Sequence, residues 1–350
     1  MTKVTLQSIA DQVGVSRMTV SNAFSKPDQL SAELRQTILD AAAALGYTGP
    51  DPAARALARG RTGSVGLLIN DPLSTALADA LASEFVGALS DALVREGLAL
   101  TVVAPPEHAG VAAVRDVAVD AAIVWVCGPA SDDVKVLVGR GVPIVTVDQE
   151  PISGHPAVRV DDRGAARAAA RHLVQLGHRR IAVVTLEDLE LGVSDRVPSH
   201  PARERMLGWR DVLDDAGITP TVINGRYHAE PDLHGTLTEL LTGPHPPTAV
   251  LCFSDAFAVA VLQVAADAGV RVPEDLSVVG FDDTILARHS RPPLTTIHQD
   301  VVAKAQAAVA GVVAQLRPAA AAPDRVTDEV TVVPVSLVLR DSTAPPPLGA

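Results

Sequence analysis

Four apolar runs of this 350-residue chain each end in acids or small polar groups: NDPLS at 70–74, VDQE at 147–150, FSD at 253–255 and GFDD at 280–283. An ionised carboxylate only accepts hydrogen bonds and a guanidinium only donates them. Acids at strand ends, with an arginine within reach in a cleft, therefore suit a polyhydroxylated molecule, whose hydroxyls do both. The same acids also suit plainer work, as helix caps or solvated loop charges. Asp161 and Asp162 precede a helix beginning near Gly164 and read as caps rather than catalysts. Other chemistries find no support in the spacing. The ten histidines form no HExxH or comparable set, His289 and His298 stand isolated, and His178 in LGHRR reads as a turn residue. Neither GxxxxGK nor GxGxxG occurs around 63–66, and no GxSxG elbow is present. No metal, cofactor or enzymatic activity is expected.

A second chemical surface lies at the start of the chain, in TLQSIADQVGVSRMTVSNAF at 5–24. Leu6, Ile9, Ala10 and Val13 recur at helical spacing before Gly14 breaks the pattern. Ser16 is a suitable N-cap for a second helix over 16–24, with Val15, Val20 and Ala23 inward. Its other side carries Ser16, Arg17, Met18, Ser21 and Asn22, a donor-rich face. Two short helices joined by a Gly-containing turn fit a helix-turn-helix, and also an ordinary αα-hairpin. Ser31 caps a third helix, whose Leu34, Ile38, Ala41 and Leu45 complete a small core and leave the second helix free to protrude. Gly49, Pro50 and Pro52 stop it, and 53–59 has room for a short helix too small to hold alone.

The elements that must position the acids begin after Gly63. Apolar runs at 65–69, 98–104, 121–126 and 144–148, then at 181–186, 221–225, 249–255 and 276–283, alternate with helical patterns. Continuous apolar strands between helices imply parallel sheets covered on both faces, here as two doubly wound subdomains. Ligands of such sheets bind beyond the carboxyl ends of the strands, where the acids stand. Trp125 and Trp209 fall in strand and helix patterns and are expected in the core, with a place near the cleft open for Trp209.

The chain is 47% hydrophobic and 20% charged, enough for a large core and two to three domains. Cys127 and Cys252 lie in apolar runs and read as buried thiols of a reducing compartment. The start of the chain shows no apolar signal segment and no run reaches bilayer length, so a cytoplasmic protein without a membrane partner is expected. The net charge of −12 argues against nucleic acid until it is divided. Residues 1–62 hold seven Lys or Arg against five Asp or Glu, and the remainder 22 against 36. The head is mildly basic, and an acidic body opposes non-specific adsorption.

VTLQSIADQVGVSRMTVSNAF, LGY at 45–47 and PAARALARGRTGSVGLLI together resemble the head and hinge of the lactose-repressor (LacI) family. The likeness continues through GRGVPIVTVD, LVQLGHRRIAVV, RERMLGW, LSVVGFDDT and PPLTTIHQD, over nearly the whole chain. The resemblance implies an all-α helix-turn-helix head joined to an α/β body of two doubly wound, periplasmic-binding-protein-like subdomains. It divides the chain into a head at 1–49, a hinge at 50–62, a body at 63–341 and a tail at 342–350. The body's first subdomain takes 63–162 with 290–323, the second 163–289 with 324–341, and nothing in the tail resembles a tetramer-forming helix. The function implied is that of a transcriptional regulator, a repressor by expectation. It would bind a near-palindromic double-stranded operator as a homodimer and answer to an effector, a sugar in first place and a nucleobase in second.

Residue by residue, Arg17 and Met18 match the family's main base-reading positions, with Asn22 one turn further on. Thr5, Ser16, Thr19, Ser21 and Ser31 are candidates for phosphate contacts. Leu57 matches the leucine that paired hinge helices wedge into the minor groove, flanked by Arg55 and Arg59 as backbone contacts. Asp282 and Arg205 match effector-contacting positions. Asp148 and Ser254 stand at corresponding strand ends, although Ser254-Asp255 departs from the commoner Asn-Asp. Asp71, Leu73 and Ser74 would be the other subdomain's contribution. Two other classes stay open on fold grounds: a transport protein with the same two-lobed body, which would need a leader and no head, and an α/β enzyme using a carboxylate such as Asp282 as base.

Overall fold

The computed structural model describes residues 4–49, 51–69, 73–104, 112–125, 132–186, 199–225, 230–317 and 328–347. The chain forms two compact units, residues 1–63 and 64–350.

In the smaller unit, α1 (Leu6–Val13), α2 (Arg17–Ser25) and α3 (Ala32–Ala44) surround Ile9, Ala10, Val20, Ala23, Ile38 and Ala42. Each helix starts on a hydroxyl cap: Thr5, Ser16 and Ser31 accept from the backbone N–H of Ser8, Thr19 and Leu34. Such a cap is worth about 1 kcal/mol. Gly14 takes φ +76 to end α1 and turn into α2, a left-handed conformation that costs a side-chain-bearing residue more. The fourth helix, α4 (Pro52–Arg59), carries its stop signals at both ends. Asp51 accepts from Ala53 and Ala54 N–H, Pro52 occupies the first turn, and Gly60 caps the C-terminus.

The larger unit holds two parallel sheets. In the first lobe β1 (Ser64–Ile69), β2 (Ala99–Val103), β3 (Ala121–Trp125), β4 (Ile144–Val147) and β5 (Ala157–Val160) run in the order β5-β4-β3-β1-β2. Their helices are α5 (Leu73–Ala76), α6 (Ala80–Arg95), α7 (Ala112–Asp116) and α8 (Asp132–Gly139). Phe85, Leu89 and Leu93 of α6 pack on one side of the sheet, Val114, Val134 and Leu137 of α7 and α8 in a separate apolar cluster. In the second lobe β6 (Ile181–Leu186), β7 (Thr221–Gly225), β8 (Ala249–Cys252) and β9 (Ser277–Val279) take the order β7-β6-β8-β9. Around them lie α9 (Asp162–Leu176), α10 (His200–Asp215), α11 (Glu230–Thr242), α12 (Asp255–Asp267) and α13 (Ile285–His289). Then β10 (Thr296–Gln299) leads into α14 (Val301–Leu316), whose Ala305, Ala308 and Val312 join the first lobe's core. The chain returns through β11 (Val330–Val333) and β12 (Val335–Val338), the latter antiparallel to β10.

All eight strands read from the apolar runs are present, and two more complete the first sheet. β5 is too short, at AVRV, to stand out as a run, and β11 is an exposed edge whose first three residues face solvent. β11 hydrogen-bonds to β5 and so lies in the first lobe's sheet, whereas residues 324–341 were expected with the second. The correction has a simple cause. The valines on either side of Pro334 fit either sheet by pattern, and only the pairing of Val330 with Ala157 through Val333 with Val160 decides. Among the described residues, no helix is long and apolar enough to cross a membrane.

Candidate functional site

The strand ends of the two lobes converge on a buried chain of polar side chains. From the first lobe, Asp148 follows β4 and Trp125 ends β3. The Trp125 indole packs at 4.9 Å from the Phe85 ring, and its Nε1 donates to Asp148 Oδ2 at 3.2 Å. Lys304, one turn into α14, donates to the same oxygen at 2.7 Å and to Gln299 Oε1 at 2.7 Å. Gln299, the last residue of β10, passes the chain on: its Nε2 donates to Asp282 Oδ1 at 2.6 Å. Arg205 of α10 then ties the second lobe together. Its Nε donates to Asp162 Oδ1 at 2.8 Å, and its Nη1 to Phe253 O at 2.5 Å and Asp282 Oδ1 at 3.5 Å. Its guanidinium sits 3.5 Å from the Phe281 ring centroid and 4.5 Å from that of Phe253, a flat cation between aromatic faces.

Local packing explains why Arg205 arrives there. Gly208 lies against the backbone carbonyl of Arg163, where a Cβ would not fit, so α10 approaches α9 closely. Asp211 of α10 pairs with Arg163 at 2.8 Å and Arg167 at 2.6 Å, and these arginines hold its carboxyl at about 2. At the rim, Arg203 and His200 of α10 meet Glu150, three residues past β4, so a second polar contact joins the lobes.

The cluster is strained and closed off from solvent. Among the described residues, Asp148, Asp282 and Asp283 are the non-glycine residues with positive φ, at 50, 109 and 57. Such conformations persist where the surroundings over-determine them, and they concentrate at ligand sites. Asp148, Asp162, Arg205, Asp282, Gln299 and Lys304 are all buried. Burial pushes the Asp282 carboxyl well above the ordinary carboxylate range; Arg205 opposes this, Asp255 and Asp79 add to it, and Lys304 opposes it. Burial likewise raises Asp162, against Arg205. Two carboxylates of the cluster each keep one oxygen that is buried without a hydrogen-bond partner, Asp148 Oδ1 and Asp162 Oδ2; both amide atoms of Gln149, the residue after Asp148, are likewise buried without one. Buried polar atoms are nearly always satisfied, so a set left open in one place points to something that fills it.

Of the residues singled out from sequence, Asp148, Arg205 and Asp282 meet here. Ser254 is at the N-terminus of α12, where its hydroxyl accepts from Phe257 N–H at 3.4 Å; it caps the helix. Leu73 and Ser74 are exposed on α5, and Asp71 lies outside the described residues, as does Cys127. Asp161 is the cap it reads as, accepting from Gly164 N–H at 2.9 Å, but Asp162 is a correction: it is buried and paired to Arg205. His178 is a buried clamp, between Thr248 Oγ1 at 2.9 Å and Ala344 O at 2.9 Å, and Trp209 and Cys252 are in the core. Gln299 and Lys304 join the site although no strand-end pattern marks them. Lys304 carried a usable signal, as the one charge in the apolar helix VVAKAQAAVAGVVAQL, on the same stripe as Val301 and Ala308.

On the smaller unit, Arg17 and Met18 open α2 and stand exposed, Met18 by 69%. Ser16 Oγ is 2.8 Å from Thr19 Oγ1, so the cap couples two candidate hydroxyls. Thr5 and Ser31 also spend their hydroxyls on caps, and Ser21 lies half-buried on α2, its carbonyl accepting from Ser25. Asn22 Nδ2 donates to Gln29 Oε1 at 3.2 Å. On α4, Leu57 is 86% exposed between the exposed Arg55 and Arg59.

A helix-turn-helix unit followed by a two-lobed parallel-sheet body is the organisation of a ligand-responsive DNA-binding regulator. Residues 5–49 match the bacterial regulatory proteins of the lacI family, and residues 170–343 match the periplasmic binding protein-like domain. An HTH-type transcriptional regulator of Mycolicibacterium smegmatis is 37% identical over 331 residues, covering 87% of this chain and 89% of that protein. The structure of a lac repressor dimer bound to operator and the anti-inducer ONPF superposes with a TM-score of 0.79 at 27% identity, covering 97% of this chain and 99% of that one. A CelR–cellobiose complex matches with a TM-score of 0.69 at 25% identity, over 97% and 100% of the two chains. The chain belongs to the LacI family. It is a DNA-binding transcriptional regulator with an effector-binding domain, not an enzyme.

Proposed function

We propose that the protein is a repressor that binds a near-palindromic operator as a homodimer in the cytoplasm and releases or grips it according to a sugar held between the lobes. Residues 1–49 act as the head, 50–62 as the hinge and 63–341 as the body. The observation that carries the effector half is the buried polar chain from Asp148 to Arg205, with open acceptors in both lobes. Carboxylates and an arginine arranged this way match hydroxyls that donate and accept at once. Cellobiose in one structural neighbour supports the same class of ligand. Asp148, Arg205 and Asp282 are the contacts of this reading, with Asp162 and Gln299 holding them; Leu73, Ser74 and Asp71 would close the first lobe's side, and Ser254 acts as a cap.

For DNA, Arg17 and Met18 read bases, and Asn22 reads beside them. Arginine favours guanine O6 and N7, while methionine offers apolar contact to a thymine methyl. Thr5, Ser16 and Ser31 serve phosphate binding by fixing helix N-termini, whose N–H groups face the backbone, while Thr19, bonded to the Ser16 cap, and Ser21 offer their own hydroxyls. Leu57, Arg55 and Arg59 work in the minor groove. The test is a thermal-shift screen against sugars and nucleobases, followed by anisotropy on operator DNA selected from a random library. A sugar that stabilises the protein and changes operator affinity is the expected result. A library in which no compound does either overturns effector control, and a nucleobase hit replaces the sugar.

A further inference from the structure

Lys304 is a buried cation on an otherwise apolar stripe of its helix. It lies on the buried stripe of α14 with Val301, Ala305 and Ala308 and is 2% exposed, where a methionine would fill the same space without desolvating a charge. Its ammonium carries three N–H groups, and two are placed, on Asp148 Oδ2 and Gln299 Oε1. The other oxygen of the same carboxylate, Asp148 Oδ1, is buried with no partner. One open donor and one open acceptor therefore stand side by side, held by a 2.7 Å ion pair that fixes both. Asp162 Oδ2 is a second open acceptor on the opposite lobe.

The charges around them limit what can enter. Three buried carboxylates (Asp148, Asp162 and Asp282) face two buried cations, and each cation is already paired, Lys304 with Asp148 at 2.7 Å and Arg205 with Asp162 at 2.8 Å. An anionic group arriving here would find both of these cations already committed to carboxylates. A hydroxyl meets no such penalty, and two neighbouring hydroxyls match the open N–H and the open oxygen together.

We infer that Lys304 is a specificity-determining residue of the cleft: with Asp148 Oδ1 it holds two adjacent hydroxyls of an uncharged ligand, and the cluster turns away ligands bearing phosphate or carboxylate. This rests on the effector reading above and names the ligand chemistry within it.

The experiment measures binding by thermal shift and calorimetry, using D-ribose, cellobiose, other neutral pentoses, hexoses and cyclic polyols, their deoxy analogues, and the matching sugar phosphates and uronic acids. Wild type is compared with Lys304→Met and, should that variant misfold by circular dichroism, with Lys304→Gln. Wild type is expected to bind an uncharged member and to ignore its phosphorylated or carboxylated counterpart. The variant should lose at least tenfold in affinity for that ligand. Removing one hydroxyl of the adjacent pair should cost wild type tenfold or more and the variant little, since the partner is already gone. Equal affinity in wild type and variant overturns the assignment, as does a sugar phosphate bound as tightly as its neutral parent. A nucleobase as the sole binder overturns it while leaving effector control standing. A library that binds nowhere removes effector control itself, and this inference with it.

Discussion

Gln299 Nε2 donates to Asp282 Oδ1 at 2.6 Å while its Oε1 accepts from Lys304 at 2.7 Å, so one amide joins the charged groups of the two lobes. Its orientation is fixed by those neighbours, because the carbonyl must face the ammonium and the NH2 the carboxylate. Gln299→Glu sets a second carboxylate against Asp282. Burial and Asp282 raise the new group's pKa, and Lys304, already neutralised by Asp148, offsets only part of this. A carboxyl raised in the folded state stabilises below its unfolded pKa and loses that contribution as pH rises through the folded value. The variant should therefore be about 2–3 kcal/mol less stable than wild type at pH 7.5 and closer to it at pH 5. Urea melts at the two pH values check this; a difference that does not change with pH sinks the account.

Asp255, close enough to Asp282 to raise it, offers a second titration. Its Oδ2 accepts from Thr284 N–H at 2.7 Å and Thr284 Oγ1 at 3.0 Å, and its Oδ1 from Thr296 Oγ1 at 2.6 Å. Burial nevertheless raises the carboxyl to about 6, against those hydrogen bonds. The sign follows from the raised value: the folded state holds the proton more tightly than the unfolded one. Stability from this group is fully present below about pH 4 and is lost by about pH 6, amounting to roughly 3 kcal/mol. Asp255→Asn removes the titration, so the advantage of wild type over the variant should shrink across that window. A constant gap in thermal midpoint from pH 4 to 7 contradicts it.

The legible part of the site is the part written at strand ends. Asp148 and Asp282 follow apolar runs, so parallel-sheet logic alone brings them to one end of the body. Lys304 meets Asp148 across 156 positions, and no local pattern states that distance. Asp162 looked like its neighbour Asp161 because both precede α9; which one turns inward depends on where α10 lies against α9. Ser254 shows a different ambiguity, since a strand-end polar residue is also the natural N-cap of the helix that follows. The core strands were readable for their continuous apolar character, whereas β5 and the edge strand β11 needed the pairing itself.

Arg17 follows the Ser16 cap and stands exposed at the first position of α2. Arg17→Ala should weaken specific operator binding by about 1–3 kcal/mol and relax preference at one base pair, leaving the helix capped. Binding-site selection from random DNA with wild type and variant gives the comparison. The same selected motif at the same affinity would assign Arg17 to phosphate contact or to nothing.

Leu57 is the test of the hinge. The helix that carries it is two turns long, held by the Asp51 cap, Pro52 and Gly60 rather than by burial. Every other residue from 53 to 59 is alanine or arginine, and Leu57 is 86% exposed, so its side chain gains nothing from the unit it belongs to. A large apolar group left in water on a helix flanked by Arg55 and Arg59 suits insertion between base steps while the arginines neutralise phosphates. Unstacking a step costs a few kcal/mol, offset by the contacts that bent DNA makes with both heads. Leu57→Ala should keep the dimer and its response to a stabilising ligand while losing most operator affinity and most of the bend. Arg55→Ala and Arg59→Ala should each lower the slope of log affinity against log salt by about one. Circularly permuted operator fragments read the bend by gel mobility. If the Leu57→Ala protein bends and binds DNA as wild type does, Leu57 is a spacer, and coupling between effector and operator must run through the heads alone.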